Sequence, residues 1–339
     1  MLRRSSGDVQ TARPGSNFIV SSPFLKMAVR LASLALIGWL ALPAAGLIYA
    51  ETAAFFDICR GGTPEELAEA VARGADVNAV DGHGRTPLVV TAGDSPSESA
   101  ADKARLLAKA EVLLKAGADP DGTDEEGASA LHFAAAGGDA ALTRALLAAG
   151  ADPNRKEHDG HAPIHYAVTG DDEILLKMLL EAGAEVNAEN ADGFTALMYV
   201  CLEDEEDRPE GWREARLRLL LDHGASVRPS GGREDESWPL VMACQSDAGP
   251  ETVRLLLAAG APVNQPDGYG FTPLIAAAIH SSRPEVIEIL LNGGARAGFR
   301  SEKGFTALKS VSFNETPAAG RIKELLEAAV AAEKAADGD

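Results

Sequence analysis

The chain has 339 residues, 24% of them charged and 46% hydrophobic, the balance of a folded soluble protein. Aromatic residues make up only 5%, which disfavours a β-sandwich and suits helices packed through small side chains. A net charge of −20 argues against nucleic acid, whose phosphates need a basic surface, and without residues 1–50 the remainder stands at −24.

From Leu31 to Ala50 no residue is charged, and Lys26 and Arg30 stand just before the run. A basic start, an apolar stretch and small residues at its end mark a secretory signal. Pro43 confines the apolar helix to Leu31–Leu42, and cleavage is expected after Gly46 or Ala50. Met27 is the expected start of that signal. The alternative is an uncleaved membrane anchor, because a run of about 20 apolar residues can span a bilayer. The chain is therefore expected in a bacterial periplasm or secreted, or else anchored in the inner membrane. The expected domains are 1–50 as extension and signal, 51–80 as an N-terminal cap, 81–300 as the main array, and 301–339 as a C-terminal cap and tail.

Past the signal, Thr63-Pro64-Glu65-Glu66 reads as a capping box opening a helix. A phrase of the form Leu-Leu-x-x-Gly-Ala then recurs, with its glycines at Gly74, Gly117, Gly150, Gly183, Gly224, Gly260 and Gly294. The basic step is 33 residues, with some units lengthened. After each Gly-Ala comes a second phrase, among them Thr86-Pro87-Leu88-Val89, Ser129-Ala130-Leu131-His132, Ala162-Pro163-Ile164-His165 and Thr272-Pro273-Leu274-Ile275. Pro suits the first turn of a helix, Thr or Ser caps it, and a left-handed Gly closes the previous one. Asp81-Gly82, Asp159-Gly160, Asp192-Gly193 and Asp267-Gly268 are the expected turn tips between units.

These residues resemble the ankyrin repeat, whose mark is a 33-residue period with a Thr-Pro-Leu-His-x-Ala phrase. The resemblance covers residues 52 to about 330. It implies an all-α solenoid of seven to eight helix-turn-helix units with projecting finger hairpins, each unit stabilised by its neighbours. Two segments lie between the paired helices of lengthened units, Gly93–Lys103 and Leu202–Gly211, and a third departure is the finger Arg228–Ser237. The acidic stretch from Glu203 to Asp207 is either a partner contact or a solvated loop. Arg321–Ala336 reads as a closing helix.

Cys59, Cys201 and Cys244 fall in one slot of the phrase, where Ala92, Ala135, Val168 and Ala278 stand elsewhere. A small buried packing position is expected there, with three free, unreactive thiols. His132 and His165 occupy the family's own His position, which implies rings that tie neighbouring turns by hydrogen bonds. His158 and His161 belong to a finger and are expected to point elsewhere, so no metal site is expected. No nucleophile motif and no phosphate-binding loop is present, so neither catalytic residues nor a cofactor are expected.

What remains is protein binding by an exported, monomeric, non-enzymatic module; an anchored adaptor and an enzyme or metal protein on a repeat scaffold are the alternatives. In the family the partner meets the fingers and the exposed side of the first helices. Carried over position by position, that face contains His83, Arg85, His161, Phe194, Trp238, Tyr269, Phe271, Glu203, Ile279 and His280. The aromatic members gather in the later units and are either interface anchors or packing between fingers.

Overall fold

The computed structural model describes residues 51–93, 99–170, 172–203, 208–228 and 238–336. The apolar run Leu31–Ala50 lies outside them, and no helix among the described residues is long and apolar enough to cross a membrane. Residues Thr52–Asp339 form one compact unit.

Among the described residues, eight helix pairs follow one another. They are α1 (51–61) with α2 (Pro64–Ala72), α3 (Pro87–Gly93) with α4 (Ala100–Lys115), α5 (Ala130–Ala136) with α6 (Ala140–Ala148), and α7 (Pro163–Ala167) with α8 (Glu173–Glu181). Then come α9 (Ala196–Leu202) with α10 (Trp212–Asp222), α11 (Pro239–Gln245) with α12 (Pro250–Ala258), and α13 (Pro273–His280) with α14 (Pro284–Asn292). The last pair is α15 (Ala307–Ser310), continued by a 3-10 turn at Val311–Phe313, with α16 (Ala319–Ala336). First helices pack on first helices and second on second, giving two layers with the core between them. Among the described residues the chain is helical, and its one bridge of extended backbone joins Thr123 to Ser129 in a finger.

Local chemistry sets these boundaries. Thr63 caps α2 in a reciprocal box: its hydroxyl accepts from the Glu66 N–H, and the Glu66 carboxylate accepts from the Thr63 N–H at 2.9 Å. Thr195, Thr272 and Thr306 cap α9, α13 and α15 with their hydroxyls. Every Gly of the Leu-Leu-x-x-Gly-Ala phrase is left-handed, with φ between 85° and 95°, where a side chain would be strained. The segment Gly93–Lys103 is shorter as a connection than its sequence suggests. Ser99 accepts from the Asp102 N–H and starts α4 at Ala100, so 100–103 of that segment are helical, while 94–98 lie outside the described residues.

The phrase Leu fills the core. Leu88, Leu131, Ile164, Leu197, Leu240 and Leu274 are all at most 1% exposed, each stabilising by about 1.5–3 kcal/mol. The equivalent Leu308 in the last unit is only half-buried, as a terminal repeat requires.

Polar bridges lock neighbouring units together. Asn78, Asn154, Asn187 and Asn264 each donate to the carbonyl of the phrase Gly in the following unit, at 2.8–3.2 Å. Their side-chain oxygens accept the N–H two residues past that Gly. At the end of the array Glu333 of α16 takes over, accepting from the N–H groups of Ala297 and Gly298. On the opposite edge, buried cations close the ends of first helices: Lys109 donates to the Cys59 and Arg60 carbonyls, and Arg216 to those of Val168 and Gly170.

Candidate protein-binding face

Among the described residues, five fingers are each built around one polar residue at the base. Asp81, Asp124, Glu157, Asn190 and Asp267 all accept from the N–H groups two and four residues on. Three residues after each stands a left-handed Gly: Gly84, Gly127, Gly160, Gly193 and Gly270. The expected tips Gly82 and Gly268 lie within their turns, which the left-handed Gly84 and Gly270 close by donating to the Asp81 and Asp267 carbonyls. Asp159-Gly160 and Asp192-Gly193 do hold the left-handed Gly.

The residue after the turn Gly points back along its finger. Arg85 is half-buried, and its guanidinium holds Asp81 through Nε and Nη2 at 3.0 and 2.8 Å. Burial would raise the Asp81 carboxyl, but Arg85 and two backbone N–H groups outweigh it and hold it below the ordinary range. His161 repeats the arrangement: its Nδ1 donates to Glu157 at 2.9 Å, which fixes Nε2 as an acceptor. Glu157 is likewise held low, since its two backbone N–H donors and His161 overcome the effect of burial.

His161 does not point elsewhere, as its place in the finger suggested. Its Nε2 accepts from the Tyr199 hydroxyl at 2.9 Å, and the Asn190 amide donates to that hydroxyl at 3.0 Å. Its ring lies 5.6 Å from those of Tyr166 and His165, and Phe194 packs 5.7 Å from Tyr199. Four half-buried rings thus line the fingers of the fourth and fifth units. Phe133, Tyr166 and Tyr199 stand at successive 33-residue steps on α5, α7 and α9, all half-buried. Sequence reasoning missed this row, although the 33-residue step would have found it, because the slot after the phrase His is not among the positions carried over to the binding face. Burial raises the Tyr166 and Tyr199 hydroxyls above their ordinary value. The carboxylates of Glu157 and Asp159 add to this at Tyr166, and that of Asp192 at Tyr199.

The remaining expected residues divide. Tyr269 is 63% exposed, with Lys303 of the next finger 5.7 Å above its ring, and His83 is exposed at its own fingertip. Phe271 packs edge-on against Phe305 at 5.3 Å, so it is partly a joint between fingers. Trp238 caps α11 without a side-chain hydrogen bond and leans on the core; the finger before it, 229–237, is outside the described residues. Ile279 is half-buried and His280 exposed at the end of α13, near enough to Asp247 to feel its charge. Glu203 pairs with Arg208 at 2.5 Å, while 204–207 lie outside the described residues.

His132 and His165 do what the resemblance implied. Each accepts a backbone N–H at Nδ1 and donates from Nε2 to a carbonyl of the next finger, His161 and Ala188 respectively. Cys59, Cys201 and Cys244 are free and buried, and burial pushes the first two thiols up to about 12. Among the described residues no cluster of His, Cys, Asp or Glu is arranged to hold a metal. A groove of about 890 Å³ runs along the opposite edge between the fifth and seventh units. Its arginines Arg218 and Arg283 pair with Glu251 and Asp247.

A family model described as ankyrin repeats (three copies) matches residues 99–190, 173–267, 213–300 and 240–328. Among solved structures, the ankyrin repeat domain of Bcl-3, a unique member of the IkappaB protein family, superposes with a TM-score of 0.55 and 24% identity. The match covers 70% of this chain and 97% of that one. No curated protein matches the sequence.

Proposed function

This chain belongs to the ankyrin-repeat family, and on that premise we propose that it is an exported, non-enzymatic module that binds a protein partner on its finger face. Stacked repeats of this kind present a continuous binding surface. The observation that carries the reading is the row Phe133, Tyr166 and Tyr199, half-buried on successive first helices with His161 and Phe194 beside it. Aromatic rings left partly open on one face are the usual anchors of an interface.

Export rests on the basic start and uncharged run at residues 26–50. The same run favours a second reading, an array held at the inner membrane. N-terminal sequencing of the expressed chain after cell fractionation separates the two: a soluble form beginning after Gly46 or Ala50 supports export, and an intact run in the membrane fraction supports anchoring. The binding face is tested by cross-linked pull-down from the native envelope, with a Tyr166→Leu/Tyr199→Leu bait as control. A stoichiometric partner recovered equally by both baits would remove the finger face from the proposal.

A further inference from the structure

The open rings and the charge around them together specify what fits this face. Tyr166, His161 and Tyr199 form a stepped platform, with centroids 5.6 and 6.0 Å apart in succession. The faces of such rings carry negative potential and attract cations. Above them stand the fingers at 118–129, 151–162 and 184–195, which carry eleven carboxylates against Arg155 and Lys156. Lys156 is committed to the Glu189 carbonyl at 2.7 Å. Glu125, Glu126, Asp159 and Asp192 are exposed at the tips. An uncharged partner laid across this face would strip water from those carboxylates and return no counter-charge, which costs free energy.

We infer that the partner engages this face through an extended basic segment, whose arginine or lysine head groups lie on the Tyr166 and Tyr199 rings and pair with Asp159 and Asp192. The inference rests on the finger-face reading and narrows it to one class of partner. Packed helices of neighbouring units lie about 8–10 Å apart, and a polyproline-II segment advances about 3.1 Å per residue with three residues per turn, so every third side chain faces the same way. One unit therefore corresponds to three partner residues, and the recognised pattern is a cation at every third position. The carboxylates also steer such a segment toward the face, so association weakens with salt.

The test is selection of a phage-displayed library of random dodecapeptides on the purified full chain. Expected are peptides with Arg or Lys at three-residue spacing. Their affinity, read by fluorescence anisotropy, should fall about tenfold in Asp159→Asn/Asp192→Asn and vanish in Tyr166→Leu/Tyr199→Leu. Circular dichroism checks the fold of each variant, and Tyr166→Phe, which keeps the ring, should still bind. Neutral or acidic peptides that nonetheless depend on the two tyrosines would overturn the basic-segment inference and leave the finger face standing. Equal binding of a same-composition peptide with scrambled spacing would also overturn it, as would no enrichment at all. Peptides that bind wild type and the tyrosine variant alike would overturn both readings.

Discussion

Asn154 and Gly183 are 29 residues apart in the chain, and the Asn154 amide donates to the Gly183 carbonyl at 3.0 Å while accepting from the Glu185 N–H. The same bridge recurs from Asn78, Asn187 and Asn264. Asp121 occupies the equivalent place after Gly117, and its carboxylate accepts from the Asp152 N–H at 2.8 Å. A carboxylate has no hydrogen to offer, so it cannot donate to the Gly150 carbonyl. Asp121→Asn should restore the second bond and remove one charge from an acidic array, stabilising by about 0.5–1.5 kcal/mol. Guanidinium denaturation of the two proteins side by side is the check, and an unchanged or lowered midpoint would mean the ladder is not a source of stability.

The part of this fold that was legible in the sequence is the part fixed within one unit. A left-handed Gly, a Pro at a first turn and a buried Leu each answer a local demand, and each recurs with the period, so Gly150, Pro163 and Leu131 could be read at sight. What joins one unit to the next was harder to read. Lys109 looks like any solvent-facing helix lysine until the fold brings the Cys59 carbonyl to it from 50 residues away. The turn at Asp81-Gly82-His83-Gly84 offers two glycines, and only the His83 and Arg85 N–H groups donating to the Asp81 carboxylate mark Gly84 as the left-handed one. Tyr199 is hard to read for a related reason: its slot belongs to a first helix, and only the fold brings His161 and Asn190 of two successive fingers to its hydroxyl.

The three thiols should make the array sensitive to alkali. In the unfolded chain they ionise near their ordinary value of 9.0, whereas burial pushes Cys59 and Cys201 up to about 12 and raises Cys244 as well. Above pH 9 the unfolded state therefore sheds protons that the folded state keeps, and stability falls as pH rises through this window. Tyr166 and Tyr199 shift in the same direction and add to the decline above pH 10. Cys59→Ala/Cys201→Ala/Cys244→Ala, which places the residue of the Ala135 and Ala278 slots at all three sites, should flatten the dependence between pH 9 and 10. A thiol reagent should leave the native protein unlabelled and react in denaturant; rapid native labelling would show the slot to be open.

His132 and His165 set the acid side. Burial holds both below the ordinary histidine value of 6.5, against the pull of their backbone carbonyl partners. A depressed folded value means the unfolded chain takes up protons first, so this contribution is complete above pH 6.5 and is lost as the pH falls below it. His165→Ala should cost about 2–4 kcal/mol at pH 7.5, because the buried Ala162 N–H and Ala188 carbonyl lose their partner. It should also reduce the loss of stability between pH 6.5 and 5. Chemical denaturation across that range reads both effects, and an unaltered acid slope would assign it to other groups.

Phe271 and Tyr269 stand two residues apart and should respond oppositely to truncation. Phe271 packs edge-on to Phe305 at 5.3 Å across a joint between fingers, so Phe271→Ala removes a contact that holds two units in register. A cost of about 1–3 kcal/mol follows from lost burial and the ring pair together, and a double-mutant cycle with Phe305→Ala should return a coupling of about 0.5–1.5 kcal/mol. Tyr269 is 63% exposed with the Lys303 ammonium 5.7 Å from its ring, so Tyr269→Ala should change stability by less than about 0.5 kcal/mol. Loss of a partner in the Phe271 variant would therefore mix binding with loosening of the last two units, whereas loss in the Tyr269 variant reports the surface alone. If Phe271→Ala melted like wild type and still abolished binding, its ring would be an interface anchor, and the joint between these fingers would have to be held by other contacts.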